Sequence, residues 1–168
     1  FTTAQVAGLG STQVAALNTA NIAALTTAAI VALSSKAMAS LSSTQMAALT
    51  TAQVAALSTG QIAGLSSAAV AALGTDDLAT FTSADIALIS SKAISGLSTA
   101  ALAGLTTAQT AGFTTAQVAA LSTAQLGALT TAQAAALTST QVGALSSTQV
   151  AGLSTANLAV LTTGQIAA

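Results

Sequence analysis

Five ionisable side chains are all that this 168-residue chain offers to acid–base or metal chemistry: Lys36, Asp76, Asp77, Asp85 and Lys92. His, Cys, Tyr and Trp are absent, so no imidazole, thiol or phenol is present to move a proton or to form a covalent adduct. The three aspartates are the one grouping that resembles a hard-cation site, since such ions take several oxygen ligands. They lack the glycine-supported loop of an EF-hand, and a solvated acidic patch describes them better. Ser and Thr are abundant but have no general base beside them, so none reads as a nucleophile. The chain is therefore expected not to be an enzyme, with no catalytic residue, metal or cofactor. A net charge of −1 and aromatic residues limited to three Phe argue against nucleic acid as a partner.

What these residues sit in is a strict repeat. Cut after every eighth residue, the 168 positions fall into 168/8 = 21 octads in one register, with no insertion or deletion. We number them so that octad n comprises residues 8n−7 to 8n. The consensus is Leu-Thr-Thr-Ala-Gln-Val-Ala-Ala, nearly intact at Leu49 to Ala56 and Phe113 to Ala120. Regularity at so short a period signals stacked units, and all of residues 1–168 form a single array. The array is expected to be a segment of a longer chain, because both ends fall on octad boundaries and neither carries a polar capping segment.

Position 1 is always apolar and position 6 nearly so, as in Leu49, Val54, Leu57, Ile62, Leu65 and Val70; these are the expected core. Position 2 is mostly Ser or Thr, the N-cap preference, and position 5 is Gln in 12 octads. Thr50 with Gln53 and Ser58 with Gln61 thus form capping boxes, in which the cap oxygen accepts from the backbone three residues on and Gln reaches back. Positions 1 and 6 stand at N′ and N4, the spacing of a hydrophobic staple. Two helix-start devices coincide in almost every octad, which predicts a new helix every eight residues, running from position 3 to about position 8.

Other conformations fit less well. A continuous helix would rotate the repeat by about 80° per octad, so the Leu and Val would spiral around it. A β-solenoid is the alternative fold, but alternation would send positions 1 and 6 to opposite faces, and Ala is depleted in strands. Disorder does not suit a chain that is 53% hydrophobic.

Six-residue helices are not stable alone, since even helices of about 12 residues are marginal in water. Stacking must supply the difference, burying positions 1 and 6 together with the small residues at positions 7 and 8. The charges mark the wet face: Lys36, Asp76 and Lys92 fall at position 4, and Asp77 and Asp85 at position 5. Positions 4 and 5 are accordingly expected to face solvent. Stacking octad n on n+2 would bring Asp76 near Lys92, whereas n on n+1 would put Asp77 on Asp85. Two octads per superhelical turn are therefore expected, with three as the alternative. A layer spacing near the 8–10 Å of packed helices then gives a rod roughly 80 to 100 Å long.

A Ser/Thr pair interrupts the apolar residues in every octad, so no transmembrane segment is expected. Any secretion signal would lie outside these residues. Charged residues make up only 3% of the chain, too few to keep a domain dispersed by repulsion, which points to self-association as a homo-oligomer or filament.

The octad Leu-Thr/Ser-Thr-Ala-Gln-Val-Ala-Ala resembles the tandem arrays of very large bacterial secreted or surface repeat proteins, some labelled adhesins. The resemblance covers the whole chain and implies an extracellular or cell-surface location and a stalk-like or fibre-forming role. It carries over no functional residue. The sequence thus predicts an all-α solenoid that forms or stiffens an extracellular bacterial filament, stalk or matrix. One alternative is ice or surface binding through Thr ladders at position 3; alanine-rich helical antifreeze proteins also carry periodic Thr, but with a period of eleven on long helices. The other is a passive spacer of a large adhesin.

Overall fold

The computed structural model describes residues 1–168, and every octad forms one short helix, 21 in all, with no strand. Most helices span positions 3 to 7, as in Thr51–Ala55 and Thr59–Ala63. The residue at position 2 is extended, with φ near −74° and ψ near 154° at Thr50, and its hydroxyl accepts from the backbone N–H three residues on. Position 8 closes most helices with right-handed φ, and no residue in the chain has positive φ. The chain therefore turns between helices through three residues, the last of one octad and the first two of the next, without any left-handed conformation. The β-solenoid is not the fold.

Each helix packs on the helix three octads further along: the helix of octad 1 on that of octad 4, 2 on 5, and so on to 18 on 21. Three octads make one turn, and 21 helices at three per turn give 21/3 = 7 layers. The expectation of two per turn is corrected here. It rested on pairing Asp76 with Lys92, but those residues lie on different faces of the three-sided stack and both are exposed. Exposed ion pairs contribute at most about 1 kcal/mol, too little to set a superhelix. Seven layers at about 8–10 Å give a rod roughly 56 to 70 Å long, shorter than a two-octad turn implied.

Positions 1 and 6 fill one continuous apolar column. Leu49, Leu57 and Leu65 are 7%, 7% and 3% exposed, and Val54, Ile62 and Val70 are 1%, 3% and 0%. Thr110 replaces an aliphatic residue at position 6 yet is completely buried, because its hydroxyl donates to the Thr106 carbonyl at 3.0 Å.

Positions 5 and 7 depart from the expected pattern. Position 5 turns inward wherever it is Gln within the stack, as at Gln53 and Gln61, while position 7 is mostly exposed, as at Ala55 and Ala63. Helix geometry explains both. With the inward direction between positions 5 and 6, positions 4 and 7 each lie about 150° away at about 100° per residue. Position 8 is half-buried or exposed instead of fully buried, and it abuts position 3 of the layer beneath. A Cβ on Gly112 would lie only 2.7 Å from Ser83 Cβ, so glycine there serves close approach of layers and not backbone freedom.

Candidate functional site

The recurring constellation of this molecule is built around the carboxamide at position 5. Gln117 shows it completely. The Gln117 side-chain oxygen accepts from the Thr114 backbone N–H at 2.7 Å, and the Thr114 hydroxyl accepts from the Gln117 backbone N–H at 3.2 Å. That is the capping box the octad spelling predicts. The amide nitrogen then does something the local pattern does not announce: it donates to the carbonyl of Ile86 at 2.7 Å and to that of Ile89. Those acceptors lie 31 and 28 residues earlier, at position 6 of one helix and position 1 of the next.

One side chain thus closes the start of its own helix and ties it to the corner between two helices of the preceding layer. Gln45 repeats the arrangement on Val14, Ala15 and Leu17, at 3.0, 3.2 and 2.6 Å. Gln61 does so on Ile30 and Leu33, at 2.7 and 2.9 Å. Asn157 reaches Leu129 at 2.9 Å. The amides of Gln53, Gln109, Gln125, Gln133, Gln141, Gln149 and Gln165 make the same 28-residue bond. Because both ends of the amide are satisfied, its burial carries no unpaired polar group; Gln61 and Gln117 are each 1% exposed, and no buried side-chain nitrogen or oxygen lacks a partner.

The expectation that position 5 faces solvent is therefore corrected: it generalised from the aspartates, which are the exceptions. Asp77 and Asp85 are half-buried and keep only the capping half, accepting from the Gly74 and Thr82 backbone N–H at 3.1 and 2.9 Å. Lys36, Asp76 and Lys92 are exposed at position 4. In the first layer Gln13 is exposed and makes only the bond from Gly10, because no carbonyls lie beneath it. Sequence reasoning missed the second bond, although one signal was present. A capping box accepts Glu as readily as Gln, yet the chain contains no Glu at all. A position that takes Gln in 12 octads and never the carboxylate of the same length needs an N–H donor as well as the cap acceptor.

A family model for the ALTTAQ repeat matches residues 1–27, 15–51, 27–59, 46–83, 111–147 and 139–168. The chain belongs to the ALTTAQ repeat family. No curated protein and no solved structure matches it. The unmatched residues, 84–110, fall largely within octads 9 to 13, where position 5 is Ala69, Asp77, Asp85, Ala93 and Ala101 and the amide bond between layers is missing. Within the ALTTAQ array, the layer-to-layer amide and the recognisable repeat spelling lapse over overlapping stretches. No helix is long and apolar enough to cross a membrane.

Proposed function

We propose that this array is a structural rod that forms or stiffens an extracellular bacterial filament, stalk or matrix, through stacking of its repeats and self-association. The observation that carries the reading is the stack itself: every helix packs on the one three octads away, and the same amide bond ties the layers wherever position 5 is Gln within the stack, so the array can extend by adding repeats without a fixed limit on length. The exterior supports it too. Positions 2, 3, 4 and 7 present Ser, Thr and Ala to solvent, and with 3% charged residues little repulsion opposes lateral contact between rods. Negative-stain microscopy of the purified 168-residue chain tests the proposal. Filaments or bundles are the expected result; short rods that stay monodisperse at every concentration would leave the passive spacer of a large adhesin as the better reading.

A second reading draws on one observation. With a turn of 24 residues, position 3 forms a row along one face made of Thr3, Thr27, Thr51, Thr75, Thr99 and Thr123, all exposed. A regular row of threonines suits ice or another ordered surface, and thermal hysteresis at micromolar protein is the discriminating assay.

A further inference from the structure

In octads 9 to 13 position 5 carries no amide, and five main-chain carbonyls lose the donor that the ladder supplies elsewhere. They belong to Leu41, Leu49, Leu57, Leu65 and Leu73, none more than 7% exposed, and none accepts a hydrogen bond from the protein. At one of them the missing side chain opens to the surface. Ala93 stands where Gln would reach the Leu65 carbonyl, and beside it lies a cavity of about 320 Å³ lined by Leu65, Ser66, Ser67, Ser90, Lys92 and Ala93. The other octads with Ala at position 5 line no such cavity.

We propose that this cavity is a binding site for a primary carboxamide, held as the Gln side chain is held elsewhere in the stack. The pattern is set by Gln117, whose oxygen takes the Thr114 N–H and whose nitrogen serves Ile86 and Ile89. In octad 12 the equivalent groups on the cavity wall are the Ser90 backbone N–H, which has no acceptor in the protein, and the Leu65 carbonyl, which has no donor. The ligand's C=O accepts from Ser90 and its NH2 donates to Leu65.

The same geometry excludes other chemistry. A carboxylate has nothing to donate, as Asp77 and Asp85 show by accepting only from the cap residue of their own octads and reaching no carbonyl of the layer before. An ammonium has nothing to accept with, and Lys92 on the cavity wall opposes it by charge. The carboxamide comes from one of two sources: a small free amide, or an Asn or Gln side chain carried by another polypeptide.

The test is an NMR titration of the isotope-labelled 168-residue chain, reading the Ser90 amide and the Leu65 carbonyl. Three probes are used: acetamide, N,N-dimethylacetamide and N-acetylglutamine N-methylamide. Acetamide is expected to give saturable shifts at both atoms, and dimethylacetamide, which has no N–H, to bind at least about tenfold more weakly, the loss of roughly one hydrogen bond. Ala93→Gln is expected to abolish the response and to move both resonances in the same direction as the ligand does. Because that substitution restores the repeat consensus, it is expected to fold. No saturable shift, or equal binding of the two acetamides, or a response that persists in the A93Q variant, overturns the proposal. Binding of the glutamine probe at least as tightly as acetamide identifies a polypeptide-borne ligand; its exclusion while acetamide binds identifies a free amide.

Discussion

Octads 14 to 19, residues 105–152, and octads 9 to 13, residues 65–104, share a backbone but differ in what connects their layers. In the first stretch Gln109, Gln117, Gln125, Gln133, Gln141 and Gln149 all reach back to the preceding layer. In the second, position 5 is Ala69, Asp77, Asp85, Ala93 and Ala101, and no such bond forms. Helix bounds and caps are nonetheless alike: Ser67–Ala71 and Thr115–Ala119 both follow an extended residue whose hydroxyl accepts from the third backbone N–H. Both stretches bury their aliphatic side chains, with Val70, Leu102, Val118 and Leu126 all at 0% exposure. The apolar column and the caps therefore suffice to build the solenoid, and the amide ladder adds a separable layer-to-layer tie. Four of the five charged side chains, Asp76, Asp77, Asp85 and Lys92, fall in the stretch without the ladder. A repeat array tolerates such a lapse because each unit contacts only its neighbours.

The largest losses are expected from the apolar column that the two stretches share. Leu121→Asp and Leu97→Asp each bury an unpaired charge in the column, and each is expected to remove at least about 4 kcal/mol of local stability. Urea unfolding followed by circular dichroism, with hydrogen exchange to localise the loss, measures it; if either variant unfolded like the parent, the core assignment would fail. Gln117→Ala strips donor and acceptor together from buried partners and is expected to lower local stability by about 2 kcal/mol. Amide exchange in octads 11, 12 and 15 would then approach the rates of octads 9 to 13. Thr114→Ala removes only the cap hydroxyl and is expected to lose about 1 kcal/mol. The smallest effect runs the other way: Ala93→Gln installs a missing rung and is expected to gain about 1 kcal/mol, read as slower exchange around Leu65 and Ser90.

How much of this was legible depends on the range over which each signal acts. Thr50 and Gln53 lie three residues apart, and so do Ser58 and Gln61, so the capping box that starts each helix could be read from spelling alone. Leu49 and Val54 are apolar in register, and their burial follows from the same local pattern. The partners of the Gln amide nitrogens lie 28 to 31 residues back, at positions that supply only main-chain carbonyls, and carbonyls leave no trace in side-chain identity. The number of octads per turn was hidden for the same reason, since it is fixed by how successive layers meet. Asp77 and Asp85 misdirected the reading of position 5, because they stand in the stretch where the rung is missing. The exposure of Ala55 and Ala63 follows from helix geometry once position 5 is known to point inward; Ala at position 7 otherwise reads as easily as core.

One Gln side chain joins its own helix start to a carbonyl corner almost four octads earlier. A nuclear Overhauser spectrum of the chain with the Gln117 side-chain amide selectively labelled tests it directly. Cross-peaks from that NH2 group to protons of Ile86 and Ile89, with slow exchange against solvent, are the expected result. Cross-peaks confined to Thr114 and its neighbours, with rapid exchange, would contradict both the buried ladder and the three-octad turn.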